Sequence, residues 1–289
     1  MGRAAERAAR RAATNGQPWT DRAARAGYVA RGIVYVLVGA LALAAAAGAG
    51  GRPTDPNGAL RTVARMPAGQ IGLALIAAGL FVHAAFRALL TVAGEPYVKQ
   101  GRWGRVASHV RHGFAACLYA GMALTAAALA VRWHGSAGTD KDAQTRHLSA
   151  RVLAAPFGRP ILIAIAIGIG IAAVVQIVRA VGPNRTRDRL RVEEMTERQS
   201  DFMVALGRVA YVGRAAVLAA CAYFLMRGAI DRAPRETRGP GGALRGVWEL
   251  PHGGVWLALV AAGLIAFGLY GVLEARWRRL LGDRAQSHR

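Results

Sequence analysis

The sequence predicts an all-α, polytopic membrane protein: six transmembrane helices built as three helical hairpins in parallel repeat. Three observations carry that prediction. The first is the separation of charge from apolar residues. The chain is 54% hydrophobic with a mean hydropathy of +0.25, yet it holds 38 Lys and Arg against 16 Asp and Glu. These fall in alternating blocks, the pattern of a multi-pass membrane protein. The second is a short motif that returns. Tyr28-Val29-Ala30-Arg31-Gly32 is echoed by His109-Val110-Arg111-His112-Gly113 and by Tyr211-Val212-Gly213-Arg214-Ala215, and each copy opens an apolar run. The third is a second repeat, free of gaps. Pro67, Pro156 and Pro251 each follow a valine by four residues (Val63, Val152, Val247) and precede a glycine by twelve (Gly79, Gly168, Gly263). Seven residues further on stand Phe86, Val175 and Tyr270. Such a fixed spacing marks internal duplication. Two spans per unit start every unit on the same side, so the repeats are related by an axis along the membrane normal.

Residues 1–24 form a basic tail, helical around Ala4 to Ala13, with Trp19 near the interface, where indoles are favoured. Repeat 1 covers 25–94, repeat 2 95–182 and repeat 3 183–276; residues 277–289 are a second tail. Span 1, residues 27–47, carries no charge or strongly polar side chain from Gly32 to Ala47. It is long enough to cross a bilayer, which takes about 20 helical residues. Gly50-Gly51, Pro53 and Pro56 then predict a turn, and Ala59 to Val63 a short amphipathic piece. Span 2, residues 69–90, is interrupted by His83 and closed by Arg87. The loop 91–108 is basic, with Lys99, Arg102, Trp103 and Arg105. Span 3 is 110–131, followed by a polar loop at 132–158; span 4 is 159–178, with Gly168 and Gly170 inside it. In the long polar segment 179–208, Leu190, Met195, Phe202 and Leu206 fall on one helical face among charges. That predicts an interfacial amphipathic helix. Span 5 is 209–226; the loop 227–253 holds Pro234, Pro240 and Gly241-Gly242; span 6 is 254–273, ended by Arg276, Arg278 and Arg279. The repeated proline is expected at the first helical position, where its missing N–H is not needed. Gly79, Gly168 and Gly263 are expected to face neighbouring helices, since small residues permit close approach.

A soluble domain of net charge +22 would be read as a nucleic-acid binder, but no RNA- or DNA-binding module pattern is present. The basic residues are assigned instead to anionic membrane lipids. Cys117 and Cys221 lie in apolar runs and supply neither a metal spacing nor a disulfide framework. The first apolar run exceeds the core of a signal peptide and is read as a retained span. Lys and Arg number 25 on the N-terminal side of the membrane and 13 on the other. The positive-inside rule then puts both termini in the cytoplasm.

The pattern Gly-Tyr-x-Ala-Arg-Gly-x-x-Tyr from Gly27 to Tyr35, made three times with paired spans, resembles a bacterial integral membrane family known only as domain of unknown function 1206. The resemblance covers residues 22–276. Repeat 3 keeps Tyr211 and Arg214 but has Ala215 for the glycine; repeat 2 has His109 and His112 for the tyrosine and arginine. The resemblance implies a six-span protein of the bacterial cell membrane. It implies no activity.

The candidate site residues follow from the repeats. Arg31, His112 and Arg214 are equivalent, and Tyr28, His109 and Tyr211, three residues earlier, share their helical face. Hairpins packed about a pseudo-threefold axis would aim these side chains inward. Converging cations at low dielectric then need an anion, a lipid headgroup or an acid such as Glu274 between them. This set is read as a site for an anionic headgroup or small anion. The alternative is three interfacial anchors with no shared ligand. His83, Gln176 and Glu274 are polar residues within or at the ends of apolar runs, where an ionisable group is a functional hypothesis by default. Arg87 and Arg214 are the expected partners of Glu274. An axial haem pair of His83 and His112 is not reproduced by the repeats; neither cofactor nor metal is expected. No Gly-x-Ser-x-Gly, His-Glu-x-x-His, phosphate-binding loop or paired carboxylates occur. The expectation is a non-enzymatic protein acting through lipid, envelope or partner contacts, with a homo-oligomer or protein partner left open. The alternative is a small channel or transporter for an anion or small solute along the axis. A path needs a polar wall, and the spans carry almost no polar side chains at mid-depth, which favours the first reading.

Overall fold

The computed structural model describes residues 18–49, 53–93, 102–131, 141–155, 157–182, 192–233 and 236–277. Within them the chain is helical throughout, with nine α-helices and no strand. Six are long and apolar enough to cross a membrane. They are α1 (Pro18–Ala46), α3 (Gly69–Ala93), α4 (Arg102–Val131), α6 (Gly158–Val181), α7 (Glu197–Ile230) and α9 (Gly253–Trp277), here spans 1 to 6. Three shorter ones, α2 (Pro56–Ala64), α5 (Lys141–Ala154) and α8 (Pro240–Trp248), link the two spans of each repeat. The helical segment expected at residues 4–13, Lys99, Pro156, Leu190, Pro234 and most of both tails lie outside the described residues.

The spans outrun their apolar runs. Span 3 begins at Arg102 and span 5 at Glu197, because no helix breaker separates either start from the membrane segment. Span 5 starts where a capping box fixes it: the Gln199 amide donates to the Thr196 hydroxyl, and the Thr196 amide to the Gln199 side chain. Among the described residues, no separate interfacial helix is therefore found around Phe202 and Leu206. Those residues form the first turns of span 5, with Met203 buried. The segments 132–158 and 227–253, read from the sequence as loops, hold α5 and α8. At the start of α2, Asp55 caps the helix by accepting from the Gly58 amide at 2.8 Å. Arg245 of α8 donates to the Pro53 carbonyl at 3.4 Å, tying repeat 3 to repeat 1.

One turn joins each linking helix to the next span. The amides of Gly69, Gly158 and Gly253 donate to the carbonyls of Met66, Ala155 and Leu250 at 2.9, 3.0 and 2.8 Å. The residue before each glycine has positive φ: Ala68 57°, Phe157 63°, His252 58°. Proline second and positive φ third is the pattern of a type II turn. Pro67 and Pro251 thus sit in the turn and not at the first helical position. The left-handed residue costs on the order of 1 kcal/mol at each site. The glycine that follows is obligatory, because a Cβ there would overlap the carbonyl oxygen of Val63, Val152 or Trp248. Val-x-x-x-Pro-x-Gly recurs in all three repeats, and its proline, expected to start a helix, belongs in repeats 1 and 3 to this turn.

The spans pack in the order 3–2–1–6–5–4. Each even span lies against the odd span of the following repeat: 2 on 3, 4 on 5, and 6 back on 1. In repeats 1 and 3 the two spans of the repeat also pack together, whereas spans 3 and 4 of repeat 2 do not pack comparably. The glycines follow suit. A Cβ on Gly79 would strike Ala30, and one on Gly263 would strike Gly213. Gly168 meets nothing, contrary to expectation. The residue equivalent to Ala30 and Gly213 is Arg111. Repeat 2 thus has a long cation where its counterparts have a methyl group or none, at the position through which repeats 1 and 3 make their close approach.

Apolar side chains cover the outside. Ile71, Leu75 and Phe81 on span 2, Phe114 and Leu124 on span 3, and Ile171 and Val174 on span 4 are exposed, as hydrocarbon-facing residues must be. Inside, Val34, Leu60, Leu73 and Leu80 form one core cluster, and Val38, Ala42, Leu244 and Leu257 another. Replacing Gly79 or Gly263 by Leu should overpack these contacts by about 1–3 kcal/mol. Thermal unfolding in detergent, followed by tryptophan fluorescence, should show a lowered midpoint for both. Gly168→Leu should melt like the parent; equal losses at all three positions would contradict the asymmetry.

Candidate functional site

Spans 1, 2, 3, 5 and 6 each contribute to one polar, aromatic cluster at the depth of the repeated motif. Two glycines make room for it. A Cβ on Gly27 would lie 2.9 Å from the backbone of His83, and one on Gly271 3.1 Å from Nη2 of Arg31. Arg31 is 5% exposed and reaches across to Glu274, 3% exposed, with Nη2 and Oε2 3.4 Å apart. Its guanidinium also lies 5.1 Å from the Tyr28 ring centre and 5.2 Å from that of Phe267. On the other side, Arg214 stands 4.9 Å from the same Phe267 ring and 6.0 Å from Tyr35. Sharing one ring brings the two guanidinium carbons within about 10 Å of each other, close enough to interact across a low-dielectric core.

Repeat 2 supplies a second half. Arg87 Nε donates to His83 Nε2 at 3.4 Å, and Arg87 Nη1 lies 3.1 Å from His112 Nδ1. Arg111 Nη2 lies 3.3 Å from His112 Nε2 and 3.4 Å from Ser108 Oγ. His112 therefore has an arginine at each ring nitrogen, and a neutral imidazole accepts at only one of them. His83 and His112 are both fully buried. The His83 ring meets Tyr28 and Tyr119 edge-on at 4.8 and 4.6 Å between centroids. Tyr119 shares a side-chain hydrogen bond with Tyr35 and lies within electrostatic reach of Arg31, Arg87 and Arg214. The row of spans is thus curled around these side chains. Arg87 stands 6.0 Å over the Tyr28 ring, which joins the two halves.

The expected residues fall into three groups. Arg31, Arg214, Tyr28 and Tyr211 gather around Phe267 and Tyr270, with Tyr211 6.3 and 5.8 Å from those rings. His112 joins through Arg87, as does His83. His109 is turned aside, its Nδ1 bonded to the Thr91 carbonyl. Glu274 pairs with Arg31, whereas Arg87 and Arg214 were the partners expected. The reason is the packing of span 6 on span 1, which the repeats alone did not reveal. Gln176 is buried with its Oε1 lacking a hydrogen-bond partner. It is the repeat equivalent of Arg87 and Gly271, which meet His112 and Arg31. Sequence reasoning passed over Tyr35, Tyr119 and Phe267, and gave Arg87 only the end of a span. A signal existed: Tyr35 and Tyr119 each lie two helical turns beyond a motif residue, Tyr28 and His112, on the same face.

The cluster holds four arginines, Arg31, Arg87, Arg111 and Arg214, and Glu274 pairs with Arg31. Arg214, next to that pair, meets the aromatic faces of Phe267 and Tyr35 and is a cation at low dielectric. It can grip a phosphate or carboxylate by two-point hydrogen bonds. No group of three or more metal-binding side chains occurs among the described residues.

Comparison with known proteins agrees with this architecture. The family pattern described as Domain of Unknown Function (DUF1206) matches three times, at residues 26–94, 112–182 and 209–278. An "Uncharacterized protein YxxB" of Bacillus subtilis (strain 168) is 32% identical over 272 residues, which cover 93% of this chain and 94% of that protein. No solved structure matches. The chain belongs to the DUF1206 family.

Glu274→Gln leaves Arg31 buried opposite a neutral amide and should cost about 3–5 kcal/mol, the usual effect of breaking a buried pair from one side. Melting of the purified protein should fall accordingly. The double replacement Arg31→Met with Glu274→Met should recover most of the loss; a double variant as unstable as Glu274→Gln would show that the pair is not what the single change disrupts.

Proposed function

We propose that this DUF1206 protein is a non-enzymatic, multi-pass protein of the bacterial inner membrane that binds an anionic group in its cationic core. The observation that carries the reading is Arg214, a second guanidinium held in the core against the same Phe267 ring that faces Arg31 of the Arg31–Glu274 pair. Arg214 faces only aromatic rings in the contacts that hold it, which leaves its hydrogen-bonding edge for a ligand. The ligand chemistry is a phosphate or carboxylate, borne by a lipid headgroup or a small free anion. The apolar outer core of Val38, Ala42, Leu244 and Leu257 weighs against a permeation path, because a path needs polar walls along its length.

The orientation belongs to the same proposal. Arg31, Arg87, Arg111 and Arg214, counted at first with the basic loops, lie in the spans. The remaining basic residues still favour a cytoplasmic N-terminal side. With Cys117 and Cys221 changed to Ala, single cysteines at Arg146 and Pro240 should react with an impermeant maleimide on intact cells. Cysteines at Glu193 and Glu197 should react only after lysis. Labelling of the latter pair from outside would reverse the orientation.

Native mass spectrometry tests the binding. Phosphatidylglycerol should stay bound at a higher level than phosphatidylcholine, and inorganic phosphate offered alone separates the lipid source from the free one. Arg214→Gln, which leaves the Arg31–Glu274 pair in place, should weaken retention about tenfold, the loss of one charge-assisted contact. Removing Arg3 and Arg7 from the tail should not. Equal effects of the two replacements would sink the core site.

A further inference from the structure

Gln176 of span 4 is 6% exposed, and its side-chain carbonyl oxygen has no hydrogen-bond partner among the described residues. A buried acceptor in that state has lost its water and gained nothing in return. The span that packs extensively on span 4 is span 5. Contacts further along fix the register of the two. A Cβ on Gly170 would meet that of Ala222 at 3.9 Å, and Leu162 and Ala166 cluster with Leu225 and Ala229. Continued in the antiparallel sense, this register sets Gln176 level with Ala215 and Ala216, beside Arg214. The other two seams bring the same two positions together. Arg87 Nη1 lies 3.1 Å from His112 Nδ1 where spans 2 and 3 meet, and a Cβ on Gly271 would lie 3.1 Å from Arg31 Nη2 where spans 6 and 1 meet. Gln176 and Arg214 are the equivalent pair of spans 4 and 5. Here Oε1 of the glutamine receives no hydrogen bond, and the half-buried guanidinium lies over Phe267 and Tyr35.

We infer that Gln176 is a specificity-determining residue of the Arg214 site: an anionic oxygen of the ligand sits on the guanidinium, and a hydroxyl of the same ligand donates to Gln176 Oε1. The inference rests on the anion-binding reading and narrows its ligand to a phosphate that carries a hydroxyl group. Arg214 offers donors and Gln176 offers an acceptor, so one hydroxylated anion satisfies both. An anion without the hydroxyl satisfies the arginine and leaves the buried carbonyl unpaired, which is how a polar site rejects an analogue that lacks one group. The phosphoglycerol headgroup of a lipid and free glycerol phosphate share this chemistry.

The test compares two matched pairs on the full-length protein. Phosphatidylglycerol and phosphatidylethanol have the same charge and differ in the headgroup hydroxyls; their retention is read by native mass spectrometry. Glycerol phosphate and methyl phosphate are the free counterparts, read by the rise each gives in the melting midpoint. The hydroxylated member should win by about fivefold, the value of one neutral hydrogen bond, and the pair that shows the preference names the source. Gln176→Met should erase the preference, leave binding of the hydroxyl-free member unchanged and melt no lower than the parent. Gln176→Glu, which sets an acid beside Arg214, should weaken both members, and it decides the matter if the Met variant does not fold. No preference in either pair, or one that both Gln176 variants keep, overturns the assignment. If Arg214→Gln still lowers binding of both members in that event, the anion site stands and only the role of Gln176 falls. If Arg214→Gln has no effect either, both fall.

Discussion

Spans 1 and 6 meet backbone to backbone at Gly32 and Gly268, and the rest of the structure depends on that contact. A Cβ on either glycine would lie within 2.6 Å of the other's carbonyl oxygen. In a bilayer, apolar side chains gain little by meeting one another, because lipid tails are equally apolar. Helices are held by close van der Waals approach and by polar contacts. Gly32 and Gly268 supply the first, and by bringing the helices together they allow the second: Arg31 is next to Gly32 in sequence, and Glu274 lies under two turns beyond Gly268. The same contact closes repeat 3 onto repeat 1, so that three hairpins become one body.

Buried charge shapes the centre. An isolated arginine in hydrocarbon is costly. Here Arg31 is covered by a carboxylate and by two aromatic faces, and Arg214 by two aromatic faces alone. Rings tolerate a cation through their quadrupole but do not neutralise it. Adding aromatic faces therefore permits more arginines than carboxylates, at the expense of leaving net positive charge behind. That residual charge is a property a binding site needs and a purely structural core does not.

Much of the fold could be read in the sequence, because apolar length and fixed repeat spacing are local signals. Span ends were less legible: polar residues such as Arg102 to Arg105 and Glu197 to Arg208 continue a helix as readily as a loop when no breaker intervenes. The linking helix α5 was hidden by its polar composition, and α8 by the Pro240-Gly241-Gly242 at its start. The site was half legible. Repeat equivalence pointed to Arg31, His112 and Arg214, but Glu274 lies 243 residues from Arg31, and only the contact of span 6 with span 1 pairs them. Arg111 was visible as a departure from the motif. That its counterparts Ala30 and Gly213 are close-packing positions depends on what they touch, which no single repeat discloses.

That separation has a consequence for how the protein is made. At about 5–20 residues per second, the ribosome needs roughly 12 to 50 seconds to travel from Arg31 to Glu274. For that interval span 1 sits in the bilayer without its acid. The cover that arrives with it is Tyr28, one turn earlier on the same helix and 5.1 Å from the guanidinium. Spans 2 to 5 can enter and pair meanwhile, but the core stays charged and unlocked. Its closure falls to span 6, so a nascent chain truncated before that span lacks the carboxylate that pairs with the arginine of its first span.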